Sequence, residues 1–183
     1  MKTFLKKLSK NGFFYSYNIL ILSVMTIFLL IFSRADGFIW LNQIHNWPLN
    51  FFFDKITFLG DGIFIIIVSL IILLFIKKHT KLAFIILLSY ISSGLFVQII
   101  KGTITAPRPS VYFEMHHYNY YLDVFATSRK GLSSFPSGHT ASFFAFATVL
   151  AGYCKRKFVC ILSFLLSVLI GYSRIYLANH FLI

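Results

Sequence analysis

Five long apolar runs, separated by short polar or basic segments, dominate this sequence. They cover about residues 17–32, 62–76, 82–100, 136–153 and 158–172. About 20 apolar residues are enough for a helix to cross the hydrocarbon core of a bilayer. Because a spanning segment must satisfy its own backbone hydrogen bonds, helices are the expected structure for such runs. The pattern predicts an all-α, polytopic transmembrane helix bundle with five spans, built as a single domain over residues 1–183.

The composition agrees with a membrane protein and argues against a nucleic-acid partner. Hydrophobic residues make up 58% of the chain and charged residues 12%, and the mean hydropathy is +0.79. Soluble domains carry about a quarter charged residues. The net charge of +12 is spread over the ends of the apolar runs and does not form one basic face. The partner that this pattern indicates is the lipid bilayer, with no nucleic acid.

The charges also predict an orientation. Ten basic residues and no acidic residue occupy the N-terminal tail and the turns at residues 77–81 and 155–157. An excess of Lys and Arg is typical of cytoplasmic loops. The acidic residues all lie in the alternate segments: Asp36, Asp54, Asp61, Glu114 and Asp123. We therefore expect a cytoplasmic N-terminus and an outer location for the long loop at residues 101–134.

Residues 33–61 precede the second run and are harder to interpret. Trp40 and Trp47 favour a segment that lies in the membrane interface. Residues 51–59 are interpreted as a buried or interfacial lead-in that ends at Gly60-Asp61-Gly62. The favoured interpretation is that Asp61 marks the water boundary. A functional role is the alternative, because ionisable groups are costly at membrane depth.

The first of three polar clusters on the predicted outer side ends the third run. Lys101 and Arg108 are two cations seven residues apart, and Pro107 and Pro109 stop the helix between them. Basic side chains at a helix end can also simply extend to the interface, which is the competing interpretation for Lys101.

The second cluster is Ser-Phe-Pro-Ser-Gly-His-Thr at residues 134–140. Pro136 suits the first position of a helix, so we expect a helix to begin there with Ser133 or Ser134 as its cap. Amide N–H groups of residues 137–139 would then point out of the helix and bind an anion. An ordinary loop that enters a membrane helix is the alternative.

The third cluster comprises Arg174 and His180. On a regular helix a six-residue gap is a rotation of about 240°, so both can face one ligand only if the helix breaks, plausibly near Ala178-Asn179. Together the clusters hold three cations, a helix start and two histidines on one membrane face. Such cations suit a tetrahedral phosphate. Two histidines suit phosphoryl transfer through a covalent intermediate, as nucleophile and acid.

From about Lys101 to its end, the chain resembles the type 2 phosphatidic acid phosphatases (lipid phosphate phosphatases). Their pattern is Lys-x6-Arg-Pro, Pro-Ser-Gly-His and Ser-Arg-x5-His-x3-Asp, and all but the closing Asp is present here. The resemblance implies that His180 attacks phosphorus to form a phosphohistidine and that His139 protonates the departing lipid oxygen. It implies neither metal nor cofactor. It also implies that the phosphoryl oxygens are held by Lys101, Arg108, Ser137, Gly138 and Arg174.

The resemblance further implies a bacterial inner-membrane protein with its active site on the outer, periplasmic face. Phosphatidic acid, phosphatidylglycerophosphate, undecaprenyl diphosphate and lipid A are the candidate substrates. The family's closing Asp would fall one residue after Ile183. A sixth span is also missing, so we interpret the chain as C-terminally truncated.

Three other functions stay open: a transporter of lipid phosphate or another anion, an inactive binder with the same pocket, and a phosphotransferase. Whether Glu114, His116 and His117 shape the choice of head group is open as well.

Overall fold

The computed structural model describes residues 12–123, 128, 130–154 and 156–182. Over these residues the fold is all-α, as predicted, with eight α-helices. They are α1 (Gly12–Ile31), α2 (Arg34–Asn42), α3 (Trp47–Ile56), α4 (Gly62–Phe75), α5 (Thr80–Thr103), α6 (Pro109–Met115), α7 (Gly138–Cys154) and α8 (Lys157–Tyr176). Short 3-10 turns at Thr57–Gly60 and Lys77–His79 precede α4 and α5. The basic N-terminal tail and Lys155, on which the predicted orientation partly depends, lie outside the described residues.

The expected five spans are not all shown. Among the described helices α1, α8 and the segment Lys77–Thr103 are long and apolar enough to cross a membrane. The segments Trp47–Gly60 and Gly62–Phe75 meet at a bend of 57° and could together form a fourth span. All five apolar runs are helical, but α7 has only 17 residues. The structure therefore supports an integral membrane protein with three spans, or four if the bent pair counts as one.

The centre of the bundle is formed by α7, which packs against α5 and α8. Ile65, Ile86, Ala147 and Ile170 are fully buried there, on four different helices. Many large apolar side chains on the outside of the bundle are exposed, as Leu30 and Phe75 illustrate. Exposed apolar surface of this extent is expected where a protein faces lipid.

The sequence wrongly placed the start of α7. The helix begins at Gly138, two residues after Pro136, and Ser137 is its cap: the Ser137 Oγ accepts a hydrogen bond from the Thr140 amide at 3.4 Å. Ser134 cannot cap the helix because it lies four residues before Gly138, in an extended segment. Its amide donates to the carbonyl of Ala106 at 2.8 Å, and residues 106 and 133 form an isolated parallel bridge. This pairing holds the second polar cluster against the first.

The predicted break after Arg174 is confirmed. Helix α8 ends at Tyr176, and Ala178 has a φ of +51°. The amides of Asn179 and His180 both donate to the carbonyl of Arg174, at 2.9 and 3.1 Å. The chain therefore turns back over the end of α8 and brings His180 close to Arg174.

An aromatic cluster covers this turn. Phe38 of α2, Phe113 of α6 and Phe181 are buried against one another, with ring centroids 5.2 to 6.3 Å apart. The guanidinium of Arg34 lies 4.1 Å from the centre of the Phe181 ring and donates to the carbonyl of Pro107 at 3.4 Å. Helices α2 and α6 thus fix the segment that carries His180.

Candidate active site

Arg108 connects the three polar clusters. Its side chain is buried, with 5% exposed. One terminal nitrogen donates to the backbone oxygen of Asn179 at 2.9 Å and to its side-chain oxygen at 3.4 Å, and the other donates to the carbonyl of Ser133 at 3.4 Å. The guanidinium is therefore held in one orientation by Asn179 and Ser133, the residues immediately before His180 and Ser134.

Arg174 is held from a different part of the chain. It is 3% exposed, and its Nη1 donates to the hydroxyl of Thr57 at 2.6 Å. Thr57 is buried in the 3-10 turn before α4. Sequence analysis missed both Thr57 and Asn179 as anchors of the two arginines. A single Thr in an apolar lead-in carries no motif that could have identified it.

The tautomer of His180 follows from its partner. The imidazole is buried, and its Nδ1 is hydrogen bonded to the backbone carbonyl of Ser134. Since a carbonyl oxygen can only accept, Nδ1 must carry the proton. In the neutral imidazole the lone pair then lies on Nε2. The backbone carbonyl of Ser134 thus orients the ring so that Nε2 is the nucleophilic nitrogen.

The surroundings of His180 keep the ring neutral. The pKa of His180 is lowered from 6.5 to about 3: burial is the main cause, the nearby charges of Arg174, Arg108 and Lys101 act in the same direction, and the bond to the Ser134 carbonyl opposes the shift. Lys101 lies in the last turn of α5, close enough for its charge to act on this ring. The three predicted cations and His180 therefore share one site.

This shift predicts that the folded protein loses stability in acid. Between the unfolded pKa of about 6.5 and the folded pKa of about 3, the unfolded chain binds a proton at residue 180 that the folded chain does not. Stability should therefore fall as the pH is lowered through this window, by up to about 1.4 kcal/mol per pH unit. Thermal unfolding in detergent at pH 7, 5 and 4 measures this loss of stability. A His180→Asn protein should lose less stability over the same steps; equal losses would contradict the assignment.

His139 lies beside Asp61. Its Nε2 is 3.8 Å from one carboxylate oxygen, an ion-pair distance, and the other oxygen of Asp61 accepts from the amide of Ile63 at 2.9 Å. Asp61 is thus the N-cap of α4 as well as a neighbour of His139. Its interpretation as a marker of the water boundary does not account for this pairing.

Ser137 and Gly138 lie at the first turn of α7, where the amide N–H groups have no partner within the helix. The hydroxyl of Ser137 accepts a bond from that of Thr140 at 3.0 Å, so its own proton can be donated to a ligand. A methyl group placed on Gly138 would meet no atom within 4 Å. The space beside this backbone is therefore open to a phosphate oxygen.

The histidines of the long loop do not join this group. His116 is exposed, stacks on Tyr112 with ring centroids 4.1 Å apart, and its Nδ1 bonds to the carbonyl of Tyr112 at 2.8 Å. His117 has a φ of +53° just beyond α6. The contacts described for His116 stay within α6, as does the bond from the His117 amide to the carbonyl of Glu114.

A known protein family matches the part of the chain that carries these residues. The family profile described as the PAP2 superfamily matches residues 82–183, more than half of the chain and all three motifs. Among solved structures, Aquifex aeolicus LpxE is similar, with a TM-score of 0.65 and 28% sequence identity over 79% of this chain and 80% of that one. No curated protein matches the sequence. The chain belongs to the PAP2 superfamily of phosphatases.

Proposed function

We propose that this protein is an integral-membrane phosphatase that removes phosphate from a lipid phosphate or diphosphate through a phosphohistidine. The observation that carries the proposal is His180: a buried, neutral imidazole with its lone pair on Nε2, among three cations. A neutral nitrogen can attack phosphorus, and the cations offset the negative charge of the group under attack.

In this proposal the phosphoryl oxygens bind to groups that are already oriented. Arg108 and Arg174 are anchored by Asn179 and Thr57, so neither must lose much rotamer freedom on binding. Lys101 adds a third charge. The N–H groups at the start of α7 and the hydroxyl of Ser137 complete the site. Protein cations and amides supply the charge in this mechanism, which has no step that requires a metal.

The chemistry proceeds in two transfers. First, Nε2 of His180 bonds to phosphorus while the bond from phosphorus to the lipid oxygen breaks. The electron pair goes to that oxygen, and His139 gives it a proton. Next, a water molecule gives a proton to His139 and attacks phosphorus, the P–N bond breaks, and inorganic phosphate leaves. Each histidine therefore ends the cycle in its starting state.

The membrane setting supports a lipid substrate. Lys101 and Arg174 lie in the last turns of α5 and α8, two helices apolar enough to span, so the site lies at one end of the bundle. A phosphorylated head group lies at the same depth. We further propose that α7 also spans, since its 17 residues are close to the shortest length that crosses. We propose that α4, with 14 residues, spans together with the segment Trp47–Gly60 that it meets at a bend. The pattern of basic turns favours the outer face of a bacterial inner membrane for the site.

Phosphate release by the full-length protein in detergent tests this function. The substrates are phosphatidic acid, phosphatidylglycerophosphate, undecaprenyl diphosphate and lipid A, each with and without EDTA. We expect release from at least one lipid, unchanged by EDTA and absent from a His180→Asn preparation. His116→Asn is the matched control, because His116 stacks on α6 away from the site, and it should retain activity.

The result also separates the competing functions. Binding of these lipids without release would favour a transporter or an inactive binder. Release that appears only when an alcohol acceptor is added, with the phosphorylated acceptor as product, would favour a phosphotransferase. Loss of activity in EDTA that added Mg²⁺ restores would contradict the metal-independent mechanism.

A further inference from the structure

Gly60-Asp61-Gly62 packs directly against the first turn of α7 and against α5. A Cβ on Gly60 would lie 2.9 Å from both the Cβ and the carbonyl oxygen of His139, and one on Gly62 would clash with the hydroxyl of Tyr90. Both positions therefore need glycine for close approach. The Gly60-Asp61-Gly62 segment, which interrupts the apolar sequence, therefore packs tightly against His139, the residue to which the proposed mechanism gives the role of general acid.

Within this contact the two carboxylate oxygens of Asp61 have different neighbours. One oxygen caps α4 through the amide of Ile63 at 2.9 Å, and the other faces Nε2 of His139 at 3.8 Å. The two side chains are only partly exposed, at 37% and 23%. The 3.8 Å distance is longer than a hydrogen bond, and such contacts often tighten when substrate binds.

The two histidines of the site consequently have partners of different charge. His180 donates to a neutral carbonyl, which leaves its ring neutral for attack. His139 instead faces a carboxylate oxygen of Asp61, which can accept a ring N–H. This geometry suits a ring that gives a proton to the leaving oxygen from its other nitrogen.

Resting on the proposed function, we propose that Asp61 is the positioning residue for His139. Its carboxylate holds Nε2 and so directs Nδ1 to the leaving oxygen. When the bond from phosphorus to the lipid oxygen breaks, the proton passes from Nδ1 to that oxygen, and Asp61 itself transfers no proton.

Asp61→Asn separates this role from helix capping. Asn caps helices as well as Asp does, so the bond to Ile63 and the thermal stability should survive while the charge is lost. We expect the kcat for a lipid phosphate to fall by about 30- to 100-fold, part of the 10²- to 10⁴-fold that general acid catalysis contributes. Asp61→Glu should recover part of the loss.

A double-mutant cycle with His139→Asn supplies the decisive readout. In that background Asp61→Asn should change kcat by less than about twofold, because no imidazole is left to position. A purely structural role would lower activity by the same factor in both backgrounds, and that additive result would overturn the proposal. So would a loss of less than about threefold in the otherwise unaltered protein.

The identity of the leaving group gives a second, independent readout. A nitrophenolate leaves without a proton, whereas a lipid alkoxide needs one. With p-nitrophenyl phosphate the Asp61→Asn loss should therefore be several times smaller than with a lipid phosphate, and equal losses would count against the proposal. If the unaltered protein releases phosphate from neither substrate, the proposed function itself fails, which is a different outcome from an active protein that is insensitive to Asp61.

Discussion

A His180→Asn protein is expected to release phosphate at least about a thousandfold more slowly than the unaltered protein and to form no phosphoenzyme. The Asn amide can still donate to the carbonyl of Ser134, so the turn after α8 keeps its anchor. It has no ring nitrogen to attack phosphorus. Quenching a reaction with ³²P-labelled lipid should trap an acid-labile, base-stable phosphoprotein only in the unaltered chain.

Binding should survive the same substitution. The two arginines keep their anchors on Asn179 and Thr57, so the affinity for the lipid phosphate, measured by calorimetry in detergent, should change by less than about threefold. His116→Asn controls for the loss of any histidine. A variant that keeps more than a tenth of the activity, or that still forms the phosphoprotein, would mean that His180 is not the nucleophile.

The sequence predicted those features that depend on neighbouring residues. The apolar runs predicted helices at the right places because burial in lipid requires continuous apolarity. The rotation between Arg174 and His180 predicted a break, since a regular helix would direct the two side chains apart, and the chain does turn at Ala178. Spacing within a short motif was sufficient there.

Contacts between distant parts of the chain were not predictable in this way. Pro136 looked like a helix start, but pairing with Ala106 holds Ser134 in an extended segment and moves the start to Gly138. Thr57 and Arg174 are 117 residues apart. Neither contact can be predicted from the residues that neighbour it in the sequence.

The number of spans could not be established from the sequence for a related reason. Hydropathy reports that a stretch is apolar but not whether it is straight or long enough to cross. The segments Trp47–Gly60 and Gly62–Phe75 meet at Asp61 with a bend of 57°, and α7 is short. The same segment packs closely against His139, a contact that a hydropathy pattern cannot predict.

Replacement of Arg174 should have the second-largest effect. Arg174→Ala is expected to lower kcat/KM by about 10²- to 10³-fold, the usual cost of removing one oriented donor from a developing oxyanion. Arg174→Lys keeps the charge, but a single ammonium cannot reproduce the planar fork that bonds to Thr57 and reaches the phosphate. It should recover less than about a tenth of the lost activity.

Thr57→Val separates the contribution of the anchoring hydroxyl from that of the positive charge of Arg174. Valine has the shape of threonine without the hydroxyl, so Arg174 stays charged and close but loses its acceptor at 2.6 Å. We expect a loss of about tenfold in kcat/KM, smaller than for Arg174→Ala, because an arginine without its anchor must be ordered again when substrate binds. Thermal unfolding shows whether each variant is folded. If Arg174→Ala is folded and loses less than tenfold, Arg174 does not stabilise the transferring phosphoryl group; if Thr57→Val has no effect, the orientation of Arg174 is set by its other contacts.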